Sequence, residues 1–181
     1  MTDHAALTGT YDIDPTHSSL EFVVRHALVT KVRGSFAAFS GAITVDGANP
    51  AASSAEVTIE TASVTTKNAD RDAHVKSADF FDVENFPSIT FKSTSVTVDG
   101  DDVTLVGDLT IRETTKSVTI KAELGGTAVD PWGTTRIGFE GSTEVNRSEF
   151  GLNWNAALEA GGVLVSEKVK LELNIAAVKR A

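Results

Sequence analysis

Residues 68–91 read NADRDAHVKSADFFDVENFPSITF, and this stretch breaks a chain that otherwise runs strand after strand. Asn68 suits a helix N-cap, because its side-chain oxygen can accept a hydrogen bond from a free N–H of the first turn. Asp70 and Asp72 suit the positive end of the helix dipole, and Asp72 stands four residues before Lys76, the spacing of an ion pair on one helix face. The pattern predicts a short helix over about residues 69–78. The aromatic flank that follows, Phe80, Phe81, Phe86 and Phe91, has the composition of a plug for one end of a β-structure. Arg71 and His74 give the same segment groups that can meet a ligand.

On both sides of this segment the apolar residues alternate. Val103, Leu105, Gly107, Leu109 and Ile111 interleave with Thr104, Asp108 and Thr110, so one face is apolar and the other wet. The same holds for Val118, Ile120, Ala122 and Leu124, and for Val169, Leu171, Leu173 and Ile175. Further strands are predicted at 20–26, 36–45, 56–63, 89–98 and 135–145, with a short opening one at 10–13. Turn chemistry separates them at Asp46-Gly47, Asn49-Pro50, Asp99-Gly100, Asp130-Pro131-Trp132-Gly133 and Ala160-Gly161-Gly162. Short gaps demand antiparallel hairpins, and about eight such strands with one apolar face predict an up-and-down barrel or a curved sandwich. The shortage of helices excludes a parallel α/β fold.

The 181 residues fit one domain spanning 1–181, long enough to bury a sizeable core. A net charge of −9 and scattered lysines and arginines exclude a nucleic-acid partner, since phosphate binding needs a basic face, and an anionic membrane surface is expected to repel the chain too. Without cysteine there are no disulfides, thiolate metal sites or cysteine nucleophile. The first residues carry neither a basic region nor an apolar run of the signal-peptide kind, and no stretch approaches the roughly 18 apolar residues of a membrane span, so a cytoplasmic protein that is not membrane-embedded is expected.

Whether the barrel is full or hollow turns on three glycines. Gly41, Gly107 and Gly141 stand on apolar faces, between Phe39 and Ile43, Leu105 and Leu109, and Phe139 and Thr143. Glycine there packs nothing, so it either makes room for a ligand or bends the strand. Catalytic machinery is sparse. His4, His17, His26 and His74 lack metal-ligand spacing, and a three-histidine site from 17, 26 and 74 stays a geometric conception; neither metal nor cofactor is expected. There is no G-x-S-x-G elbow. Arg25, Arg71 and Arg147 are better candidates, since a guanidinium beside an apolar cavity can pair with a phosphate or carboxylate, although an ordinary ion pair, such as Arg71 with Asp70 or Asp79, explains each as well.

At this point the chain resembles the YceI-like family of bacterial lipocalin-like proteins, also described as polyisoprenoid-binding. The resemblance runs from about Gly9 to Ala177. It rests on Tyr11, Asp14, His17, Ser18, Phe22 and His26, then Gly34 and Phe36, and on Arg71-Asp72-x-His74 followed by 77–82 and Phe86-Pro87-x-Ile89-x-Phe91. It continues through 107–111 with Thr115-Lys116, and ends at Asn146-Arg147-x-x-Phe150-Gly151. Val75, Glu113 and Ser117 depart from the usual leucine, glycine and proline, which touches local packing and turn shape.

The resemblance implies an all-β fold, an extended eight-stranded antiparallel lipocalin-like barrel with a helix near one end, enclosing a long apolar channel. The implied function is non-enzymatic: to bind and sequester or carry a polyisoprenoid, isoprenoid quinone or fatty acyl compound. The tail is expected along Phe22, Val24, Phe36, Phe39, Leu105, Leu109, Phe139 and Leu171, with the head group near His17, Arg25, His26, Arg71 or His74. Strand parity can slip at bulges. The rival reading is an enzyme of the same fold acting on a small apolar substrate, with His74 or His26 as general base beside Asp72. A third is a stress-linked scaffold whose cavity is incidental. Relatives form dimers, which makes a homodimer through an edge strand or the aromatic segment an open expectation, and many relatives are periplasmic or secreted.

Overall fold

A computed structural model describes residues 3–158 and 163–181; the expected Ala160-Gly161-Gly162 turn lies outside the described residues. The strands are Gly9–Ile13 (β1), Ser19–His26 (β2), Thr30–Phe36 (β3), Phe39–Val45 (β4), Ser54–Glu60 (β5), Val64–Thr65 (β6), Ser88–Asp99 (β7), Asp102–Ile111 (β8), Thr114–Val129 (β9), Thr135–Asn146 (β10) and Lys168–Lys179 (β11). One α-helix, Ala69–Lys76 (α1), follows β6.

The strands pair antiparallel in the order β1-β4-β5-β7-β8-β9-β10-β11, and β11 returns to β1 through Tyr11↔Lys179 and Ile13↔Ala177. Eight strands therefore close a barrel. Beyond β1, β11 goes on to pair with β2, at Leu171↔Phe22, and β2 with β3 and β3 with β6. Three staves are thus broken in two: β1 and β2 by the 3-10 turn Pro15–His17, β3 and β4 by Ala37-Ala38, β5 and β6 by the 3-10 turn Thr61–Ser63.

The strand over 36–45 expected from the sequence is in fact the end of one strand and all of the next. The missing strand, β3, forms a hairpin with β2 whose turn carries none of the usual residues. Ala27 and Leu28 both have positive φ, 52° and 60°, and Val29 N–H donates to the His26 carbonyl at 3.1 Å. Asn-Gly is the ordinary sequence for such a turn.

Alternation places Leu105 and Leu109, Val118 and Ile120, Ile137 and Phe139, and Leu171 and Leu173 toward the inside. Parity slips at two bulges, at Thr94 on β7 and at Gly125 on β9, opposite the step from Gly138 to Phe139 of β10. The first moves the inward set from Ile89 and Phe91 to Val96 and Val98.

Helix α1 begins as expected, with Asn68 Oδ1 accepting from Arg71 N–H at 3.0 Å. Asp72 differs from expectation. Its carboxylate accepts from the backbone N–H and hydroxyl of the buried Thr66, while Arg71 Nε and Nη2 donate to the Thr66 hydroxyl and carbonyl, both at 2.8 Å. Lys76 adds only a longer-range attraction, and these bonds, the Thr66 hydroxyl first, hold Asp72 below the usual carboxylate range. One threonine thereby fastens the first turn of the helix to β6.

Candidate functional site

The barrel holds a cavity of about 230 Å³. Its wall is built from β1, β2, β4, β5 and β7–β11, with Ile13, Leu20, Ile43, Val57, Val103, Leu105, Leu109, Ile120, Phe139 and Leu171 among the residues that face it. From Val103 to Leu109 the wall spans six residues of one strand, roughly 20 Å. A small volume spread over that length makes a narrow bore.

One end of the bore is closed by aromatic packing. Phe22, Phe36 and Phe81 form a triangle of rings with centroids 5.7 to 6.3 Å apart. They join Phe91, Phe150, Leu152, Val64 and Ile89 in one core cluster, and Val75 of α1 packs against it. The aromatic flank of the helix is thus a plug, as the composition of residues 80–91 predicted. At the opposite end the lining residues are His4, Leu7, Asp46, Gly47, Pro50, Ser53 and Gly100. They come from the N-terminal 3-10 turn His4–Leu7 and from the β4–β5 and β7–β8 connections. Apart from Thr143, the polar residues that line the bore collect at this mouth.

The expected tail-contacting residues divide between these regions. Leu105, Leu109, Phe139 and Leu171 line the cavity. Phe39 is buried with Ile13, Leu20 and Ile175, against the lining side chains Ile43, Val57 and Phe139. Phe22 and Phe36 belong to the plug, and Val24 is half-buried on β2 opposite Val32.

The expected head-group residues stand elsewhere. His17 is exposed, its Nδ1 2.8 Å from Asp14 Oδ2, and Arg136 donates to the same oxygen at 3.0 Å while also reaching Asp130. The His17 contact first, then Arg136, holds the Asp14 carboxyl at about 2. Arg25 and His26 are exposed on the outer end of β2. Arg71 is occupied by Thr66 rather than by Asp70 or Asp79. His74 Nε2 lies 2.8 Å from Asp79, and its ring meets Trp154 edge-on at 4.5 Å and Phe80 at 5.1 Å. Asp72 is thus engaged by Thr66 and His74 by Asp79, so the histidine–Asp72 arrangement of the rival reading does not form. His17, His26 and His74 sit on separate elements with different partners.

Arg147, weighed as an anion contact, is buried to 5% exposure among carbonyls. Nη1 donates to Leu152 and Trp154 at 2.6 and 2.8 Å, Nε to Ser166 at 2.8 Å and Nη2 to Val165 at 3.2 Å. Burial pushes its pKa down from the ordinary arginine value, and Glu167 opposes that shift. Its role in the structure is to bind two loop segments together. Sequence reading missed the mouth: His4, Asp46 and Ser53 lie in connections whose turn residues were visible but whose common end was not.

The three glycines divide over the expectation of room for a ligand. A Cβ at Gly107 would fall 2.5 Å from Cζ of Phe91, and one at Gly41 2.3 Å from the Glu56 carbonyl. Their space is filled by a ring and by backbone. Gly141 alone of the three lines the cavity.

The family model of the YceI-like domain matches residues 11–177. A UPF0312 protein of Pseudomonas aeruginosa strain LESB58 is 39% identical over 182 residues, covering 99% of this chain and 92% of its own. The crystal structure of the Campylobacter jejuni YceI protein superposes with a TM-score of 0.75 at 29% identity, covering 87% of this chain and 90% of that one. A polyisoprenoid binding domain from Saccharophagus degradans, implicated in plant cell wall breakdown, shares the fold at a TM-score of 0.71 and 18% identity, covering 94% and 98%. With its closed eight-stranded barrel and a family match over nearly its whole length, the chain belongs to the YceI-like family.

Proposed function

We propose that this protein is a non-enzymatic carrier that holds the tail of a long-chain amphiphile, a polyisoprenoid, isoprenoid quinone or fatty acyl compound, inside the barrel. The observation that carries this reading is the narrow bore of about 230 Å³ whose wall is almost wholly carbon and whose polar residues, Thr143 apart, gather at one end. An apolar chain entering it leaves water at a gain of about 25 cal/mol per Å² of buried surface, with no polar partner needed along the wall. Leu105, Leu109, Phe139 and Leu171 are the proposed tail contacts. The head group stays at the mouth, near His4, Asp46 and Ser53. This moves it away from Arg25, His26, Arg71 and His74. The polyisoprenoid binding domain that shares the fold supports the ligand class.

The test is to purify the protein without detergent, record a native mass spectrum and identify what organic solvent extracts. A stoichiometric long-chain lipid is expected. Ala122→Phe, which fills the bore where Ala122 and Gly141 face each other across β9 and β10, should abolish its retention while leaving the fold intact. A wild-type protein that is empty and ignores added polyprenyl phosphates, quinones and fatty acids would refute the reading.

A further inference from the structure

We propose that the tip of the β2–β3 hairpin is a docking point for an anionic lipid surface. Leu28 and Val29 form that tip and are 62% and 76% exposed. The Ala27 N–H donates to the Leu164 carbonyl at 2.7 Å and His26 bridges Val165, which brings Val163, 40% exposed, alongside Leu28. Three bulky aliphatic side chains therefore project at one spot. Isolated exposed apolar residues are ordinary on soluble proteins, but a cluster at a turn is not. The backbone makes the choice costlier still, since Ala27 and Leu28 hold positive φ without being glycine or asparagine. A sequence chosen only to close the hairpin would carry neither the strain nor the exposure.

The charges beneath the tip identify the partner. Arg25 and Lys31 face each other in register across the two strands, both exposed. Like charges directly opposite repel, and neither side chain has an ion-pair partner among the described residues. The nearby acids are engaged by other cations: Glu21 and Glu172 lie against Arg33, Glu144 against Lys168 and Glu167 against Arg147. In a chain of net charge −9, this end thus presents two cations without an ion-pair partner among the described residues, as a collar around an aliphatic tip. That combination fits a surface of phosphate head groups over acyl chains, where the cations meet the phosphates and the aliphatic side chains pass between them. The exposed Trp132 on the β9–β10 hairpin makes the contrast: its turn is built on Asp130, whose carboxylate is bound by Arg136, so the charges of that turn neutralise each other.

This goes beyond the binding of a tail in the bore and does not depend on it, because the tip lies at the plugged end of the barrel. The test is co-sedimentation of the full chain with phosphatidylcholine vesicles and with equimolar phosphatidylcholine and phosphatidylglycerol vesicles, at low and high salt. Binding to the anionic vesicles that falls as salt rises is expected. R25E/K31E should weaken it about tenfold or more, through loss of two basic contacts at the surface. L28N/V29S should do the same by removing the apolar tip; asparagine accepts the positive φ, so this variant keeps the fold, which circular dichroism and an unchanged lipid extract would verify. Equal binding to neutral and anionic vesicles, wild-type binding by both variants, or a dimer broken by L28N/V29S in a protein that ignores vesicles would each overturn the proposal.

Discussion

The Tyr11 hydroxyl donates to the Leu7 carbonyl across 2.8 Å inside a fully buried site, and this bond fastens the N-terminal turn over the mouth of the bore. Leu7 and His4 are both lining residues, so the turn stands in the path of any ligand entering at that end. Burial also raises the phenol above its ordinary pKa, which keeps the donor protonated.

Tyr11→Phe should cost about 1–2 kcal/mol, because the Leu7 carbonyl loses its partner without gaining water. The same substitution should speed release of a fluorescent fatty acid in stopped-flow measurements. A changed stability with an unchanged release rate would show that the turn does not gate the mouth.

Arg147 binds carbonyls of Leu152, Trp154, Val165 and Ser166 in a site with little solvent. Arg147→Ala should destabilise the fold by about 3 kcal/mol or more in urea titrations, since several buried acceptors lose their donor together. Arg147→Lys should recover less than half of that loss. An ammonium donates from one point and cannot span carbonyls contributed by two loop segments.

At the plugged end the Phe22 ring lies flat against the backbone of Gly34, its partner on β3. A Cβ there would fall between 2.1 and 2.7 Å from three ring carbons. Gly34→Ala should therefore cost about 1–3 kcal/mol from overpacking. Combined with Phe22→Ala, it should cost less than the sum of the two single changes. Strict additivity in that double-mutant cycle would place the strain elsewhere.

Asp14 makes a pH prediction with a definite sign. Its carboxyl titrates near 2 in the folded protein against an ordinary 3.8, so the unfolded chain binds the proton first as pH falls. The stabilisation is present above about pH 4 and drains away between 4 and 2. Asp14→Asn should flatten the stability curve over that interval. A wild-type slope in the variant would assign the acid transition to other carboxylates.

Much of the fold was legible because its signals are local. Asn68 announces the helix through a cap that any sequence reading can find, and alternation along β8, β9 and β11 needs only neighbouring residues. The β2–β3 hairpin was invisible for the same reason: Ala27-Leu28 carries no turn signature, and Gly34 and Lys31 dilute the alternation of β3. The site divides along that line too. Leu105, Leu109, Phe139 and Leu171 follow from parity, whereas the plug and the mouth depend on which ends of distant strands meet. Arg147 shows the limit most clearly. Its partners are backbone carbonyls, which every residue possesses, so the sequence around them carries no mark of the contact. Gly107 and Gly41 invited a choice between cavity and bend, yet neighbouring atoms fill their space, the Phe91 ring at one and the Glu56 carbonyl at the other.

The pairing of Tyr11 with Lys179 joins the first strand of the barrel to the last. During synthesis no arrangement of the earlier strands can complete the circle, because β11, which supplies the seam, leaves the ribosome after the other strands of the barrel. Until then the apolar wall of the bore is an open sheet with unpaired edges, the condition in which strands join other chains. The nascent barrel is consequently most vulnerable to aggregation just before β11 emerges, and it is also most open then to a ligand that could be wrapped rather than threaded.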